Sequence, residues 1–272
     1  MRETSKLVAL AGGIALAASL VHAANQTILG KALTVKDPSA GVDQAKRSIK
    51  GSGKDAKGSS GTLVGNPTLA GSAGGALLDI FANAGSGGTS TSQEFVLPQG
   101  LTSKGQEFLS LMGSQNAPTG FRYKNVGGDQ GIPVKSVLIK KSANGSISIK
   151  VKLTGKNGTI NVLPPNPGAS GCMALKLGQS AAAGDRYSVQ FGVESKIKNV
   201  DAKVFSAKKP ANTGVCPTVV TTSTTTTTTH ASTTTTTHAS TTTTTHASTT
   251  TTTTMYGSPS RAFLQKVEGL LD

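Results

Sequence analysis

The stretch from Val134 to Leu153 constrains the fold more than any other. Ile147, Ile149, Val151 and Leu153 alternate with Ser148, Lys150 and Lys152. A period of two sends apolar side chains to one face of a strand and polar ones to the other. Val134–Lys141 precedes this run, and Ser142-Ala143-Asn144-Gly145 joins the two. Asn-Gly accepts the positive φ of a tight turn, so the pattern predicts an antiparallel hairpin. A second Asn-Gly, Asn157-Gly158, leads into an expected strand over Thr159–Leu163. Further strands are expected at Thr27–Val35, Ala45–Lys50, Gly61–Gly65, Leu77–Ala82, Glu94–Leu97, Glu107–Met112, Phe121–Tyr123, Ala174–Leu177, Tyr187–Val193 and Lys196–Phe205. No long amphipathic helical pattern separates them, which argues against βαβ architecture. The expectation is an all-β chain, an antiparallel β-sandwich of jelly-roll or Ig-like type, with a disordered Thr-rich tract and a short C-terminal helix.

Four segments emerge along the 272 residues. Residues 1–23 read as a signal peptide. Arg2 and Lys6 give a positive start, Leu7–Leu20 is apolar, and Val21-His22-Ala23 offers a small-x-small cleavage pattern with Ala24 as the new N-terminus. The apolar run is shorter than the ~20 residues needed to span a bilayer, so no transmembrane segment is expected in the mature protein. Residues 24–217 read as the β-sandwich domain. A split into two β-domains near Gly113–Thr119 is the rival reading, disfavoured because no linker composition intervenes. Residues 218–255 form a Thr-rich stalk or linker, in which His-Ala-Ser recurs at 230–232, 238–240 and 246–248. Such a tract has too little apolar side chain to bury a core. Extended at ~3.1 Å per residue, Thr221–Thr254 would reach roughly 100 Å. Residues 256–272 read as an amphipathic helical tail. Ser258-Pro259 resembles a helix start, and Phe263, Val267 and Leu270 form one apolar stripe, a candidate docking surface.

Charge and residue supply narrow the chemistry. Between Asn25 and Cys216 there are 23 Lys and Arg against 10 Asp and Glu, leaving +13. A basic exported domain suits an anionic glycan or cell-envelope polymer, and Lys140, Lys141, Lys150 and Lys152 are the candidate contacts. The competing reading is a solvated face that keeps the protein soluble. Nucleic acid is disfavoured: in Phe121-Arg122-Tyr123-Lys124 the aromatic and basic side chains alternate to opposite faces, as a core strand requires rather than a stacking platform.

The same stretch contains no His, which argues against Ser-His-Asp and Cys-His catalysis and His-ligated metal sites. No cofactor or metal is expected. Gly51-Ser52-Gly53-Lys54 lacks the spacing of a phosphate-binding loop and reads as a strand-to-strand loop. Asp129 supplies only one carboxylate in its Gly-rich stretch and reads as part of a turn. The carboxylates are scattered, and Asp79 alone lies within an apolar run. Cys172 and Cys216 are the only cysteines, and in an oxidising compartment they read as one disulfide. It would close a loop of about 45 residues and contribute roughly 3–4 kcal/mol in the chain-entropy model.

Lys31–Pro38, Gly120–Lys124, Ile139-Lys140-Lys141 and Val204–Pro210 resemble segments of uncharacterised exported bacterial proteins. The resemblance covers most of 31–216 as one β-rich unit and implies no activity. The expectation is therefore a secreted or cell-surface, non-enzymatic protein, extracellular or periplasmic. Its basic β-domain would contact anionic polymers or associate with its own copies. The alternatives are a small carboxylate-dependent hydrolase or carbohydrate-active domain, and a subunit of an extracellular assembly docked through its C-terminal helix.

Overall fold

The computed structural model describes residues 24–56, 61–179, 184–192 and 194–219. The expected signal peptide, most of the Thr-rich tract and the tail carrying Phe263, Val267 and Leu270 lie outside the described residues.

The described residues build two mainly antiparallel sheets from thirteen strands: β1 (Asn25–Thr27), β2 (Gly30–Lys36), β3 (Ser48–Lys54), β4 (Ala76–Ala84), β5 (Thr91–Leu97), β6 (Leu109–Ser114), β7 (Ala117–Lys124), β8 (Val134–Lys141), β9 (Ile147–Thr154), β10 (Gly168–Leu177), β11 (Arg186–Phe191), β12 (Lys196–Val200) and β13 (Val204–Lys208). Eight of them form one sheet in the order β12-β13-β2-β3-β9-β8-β7-β6, and five form the other in the order β1-β11-β10-β4-β5. All pairings are antiparallel except β1 with β11. Residues 113–119 form the β6–β7 hairpin inside the larger sheet.

The alternation read from the sequence explains the core. Ile147, Ile149, Val151 and Leu153 of β9 are buried, as are Phe121 and Tyr123 of β7, while Lys150, Lys152, Arg122 and Lys124 are exposed. Facing them from the five-stranded sheet are Leu78 and Ile80 of β4, Met173 and Leu175 of β10, and Tyr187, Val189 and Phe191 of β11.

The expected loop at Gly51–Lys54 is instead the second half of β3. Gly51 and Gly53 point inward, where the other sheet comes close. A Cβ on Gly53 would lie 2.8 Å from Val189 Cγ1, and one on Gly51 would collide with Met173. Glycine here makes room for the opposing side chains, a packing role that a local reading mistakes for flexibility.

Other expected strands also differ, and the run expected at Lys196–Phe205 is β12 and the start of β13, folded back on each other through a turn at 201–203. Residues 61–65 and 159–163 join no ladder. The second segment runs beside β5 and is held by side chains: Thr91 Oγ1 donates to Leu163 O at 3.2 Å, and Asn161 N–H donates to Gln93 Oε1 at 2.7 Å. Ile160 and Val162 are nevertheless buried, so their apolar pattern reflected burial without sheet pairing. Residues 44–46, at the start of an expected strand, form a 3₁₀ turn capped by the Asp43 carboxylate.

Candidate polyanion-binding face

The two sheets differ in the charge they carry outward. Among the described residues, the strands of the eight-stranded sheet hold fourteen Lys and Arg and no Asp or Glu. The strands of the five-stranded sheet hold Lys176 and Arg186 against Asp79 and Glu94.

Register arranges the larger sheet's outward residues into rows across the strands. One row runs Lys198, Ser206, Thr34, Lys50, Lys152, Ser136, Lys124 from β12 to β7. The next runs Lys196, Lys208, Ala32, Ser52, Lys150, Leu138, Arg122 and ends at Ser110 of β6. With strands ~4.8 Å apart, the first row spans roughly 30 Å.

Lysine stands directly opposite lysine in two places, Lys50 with Lys152 and Lys196 with Lys208. Like charges directly opposite each other are destabilising. The ion pairs among the described residues are Lys46–Asp43, Arg47–Asp37 and Arg186–Asp79, and none relieves these lysines. Hydroxyls of Thr34, Ser52, Ser136 and Ser148 lie between the charges, and no aromatic side chain stands on the outward positions. The face thus offers rows of cations interspersed with small hydrogen-bonding groups.

Of the sequence candidates, Lys140, Lys150 and Lys152 share this face, with Lys140 opposite Ser148 and one row removed from Lys150. Lys141 does not share it. It pairs with the buried Ile147 and so belongs to the inward series of β8, at the strand end. Lys36, Lys50, Lys54, Arg122, Lys124, Lys196, Lys198 and Lys208 complete the face. Alternation marks each as outward in its own strand, but only the tertiary register brings them into rows.

The outer face of the five-stranded sheet is partly covered. The segment after Pro210 crosses it, and Cys216 is disulfide-bonded to Cys172 of the central strand β10, Cα to Cα 5.7 Å. Cys172, Cys216, Phe81 and Ala174 form a small apolar cluster with Val219 packed against it. Arg186 ties the strap down. Its guanidinium donates to Cys216 O at 2.9 Å, to Pro217 O at 2.6 Å and to Asp79 Oδ2 at 3.0 Å.

Asp79 stands opposite Glu94 in the β4–β5 ladder, a carboxylate pair that linear spacing did not reveal. Burial pushes the Asp79 carboxyl above the usual range, against the opposing pull of Arg186. Glu94 is raised by burial and then by the charge of Asp79. The pair lies on a sheet face with Asp79 buried, its charge met by Arg186.

A separate shallow cavity of about 340 Å³ lies between Lys31, Lys54, Asp55 and the Asn144 turn. Its one carboxylate, Asp55, is raised mainly by burial. Asp129 sits in a 3₁₀ turn and accepts Ser103 Oγ at 2.5 Å. Among the described residues, no three His, Cys, Asp or Glu side chains group as metal ligands do. No family model, curated protein or solved structure matches this chain.

Proposed function

We propose that this chain is a secreted or cell-surface binding protein that holds an anionic polymer against the outer face of its eight-stranded sheet. The observation that carries the reading is the unrelieved opposition of Lys50 and Lys152 within a sheet whose strands contain no carboxylate. An incoming row of sulfates or carboxylates would convert that repulsion into attraction. The absence of outward aromatics favours an acidic glycan or envelope polymer over single-stranded nucleic acid, which uses stacking platforms. The leader-like residues 1–23 and the disulfide support an oxidising, exported setting. The Thr-rich tract that follows the strap would serve as its tether.

Retention on a sulfated-polysaccharide column tests the reading. The Lys50→Glu/Lys152→Glu protein is expected to elute at clearly lower salt than the parent. A charge-matched control, Lys104→Glu/Lys156→Glu, changes lysines in turns outside the face and is expected to elute close to the parent. Equal losses in both variants would mean that net charge alone drives retention.

A further inference from the structure

Asp185 is fully buried, and its carboxylate is surrounded by donors. Thr62 Oγ1 lies 2.9 Å and Val64 N 3.1 Å from Oδ2, Gln26 Nε2 donates to the same oxygen, and Tyr187 OH stands 3.3 Å from it and 3.0 Å from Thr62 O. Among the described residues, Oδ1 accepts from one group, the backbone N–H of Ala24, at 2.9 Å. Among the described residues no Lys or Arg pairs with Asp185. The adjacent Arg186 turns to the opposite face of β11, toward Asp79. A buried carboxylate held only by neutral donors is costly, because buried charges are ordinarily paired.

Ala24 is also the residue that the leader pattern marks as the first of the mature chain. It is exposed, and its carbonyl accepts the Arg186 N–H at 2.9 Å, which fixes it at the head of β1. We infer that leader removal after Ala23 places a new α-ammonium group on the Asp185 carboxylate, so that proteolytic maturation supplies the countercharge that this buried site lacks. The inference rests on the export reading above. The step consumes one water: the Ala23–Ala24 peptide bond breaks, a carboxylate forms on Ala23, and the amine of Ala24 takes up the proton. The uncut chain offers Asp185 a neutral amide, while the cut chain offers it a cation in the same place. Folding of this edge is then weaker before processing than after it.

The pH dependence has a defined sign. An α-ammonium paired with Asp185 has a folded pKa above its unfolded value of about 7.7–8.0. Its stabilisation is present below the unfolded value and is lost as pH rises through the folded one. The groups facing Asp185 are Gln26 from β1, Thr62 and Val64 from the 61–65 segment, and Tyr187 from β11; only Tyr187 titrates. Burial, and then the Asp185 charge, hold its hydroxyl far above the usual range, outside this window.

The test compares the chain from Ala24 to Asp272 with a free α-amine against the same chain Nα-acetylated. At pH 6 the free-amine protein is expected to unfold at a higher urea concentration, with the gap closing by about pH 10, well above the free α-amino pKa. In an Asp185→Asn background, acetylation is expected to shift nothing. Equal midpoints for the free and acetylated chains at pH 6 would overturn the inference, and that comparison stands even if Asp185→Asn does not fold. N-terminal sequencing of the exported protein separates export from maturation at Ala24. A first residue of Ala24 supports the inference, and cleavage elsewhere overturns it while leaving export intact. An unprocessed chain overturns the export reading and the maturation step with it.

Discussion

The two outer faces of this sandwich handle charge in opposite ways. On the five-stranded sheet, Asp79, Glu94, Lys176 and Arg186 balance, and a disulfide-pinned strap is tied down by Arg186. On the eight-stranded sheet, lysine opposes lysine and the side chains are exposed. Both faces are built on the same alternating pattern over the same core. The difference lies in what each does for stability: on the five-stranded sheet polar groups hold the chain together, whereas the lysine face keeps repulsions between Lys50 and Lys152 and between Lys196 and Lys208 that cost stability.

The largest effect should come from unpinning the strap. Replacing Cys172 and Cys216 by Ser removes the link that closes 44 residues of separation and is expected to cost about 4 kcal/mol in the chain-entropy model, read from urea midpoints. Polymer retention below the lowered melting point should be unchanged, because the lysine rows do not touch the strap. Next is Arg186→Met, which leaves the buried Asp79 without its cation and Cys216 O and Pro217 O without their donor. A loss of about 3 kcal/mol is expected, again with retention preserved.

The lysine face should respond with the opposite sign. Lys152→Glu replaces a repulsion with an attraction opposite Lys50 and is expected to stabilise by about 0.2–1 kcal/mol at low salt, while weakening retention. A variant that binds less well and folds more firmly would mark the face as kept for a partner.

The smallest effect concerns Asp79. Its folded carboxyl lies above the ordinary range, so the folded chain binds that proton more readily than the unfolded chain does. Stability from this site therefore rises as pH falls toward the folded value. The cost of Asp79→Asn, measured by urea unfolding, should grow as pH falls from 7 to 5.

Much of this contrast was legible in the sequence, and its limits are physical. The β8–β9 hairpin follows from alternation and Asn144-Gly145, and β8 runs from Val134 to Lys141 as expected. Those are local signals within one short segment. The inward glycines of β3 were not legible, because their reason is Met173 and Val189, more than a hundred residues away in the other sheet. The same holds for the face. The side to which Lys50 and Lys152 each point can be read within their own strands. Their direct opposition depends on β3 pairing with β9, a register that no local pattern carries. Lys141 shows the converse, since its sequence neighbour Lys140 shares its charge but not its face. Asp185 gave no signal in the sequence, because its donors come from three separate stretches.

Titration of the isotope-labelled protein with a short sulfated oligosaccharide, followed by backbone amide shifts, tests the central claim most directly. Perturbations are expected to concentrate on β3, β9, β8 and β7 around Lys50, Lys152, Lys150 and Lys124, with Arg186 and the strap at 211–219 unmoved. Shifts centred on the strap, or spread evenly to Lys104 and Lys156, would contradict it.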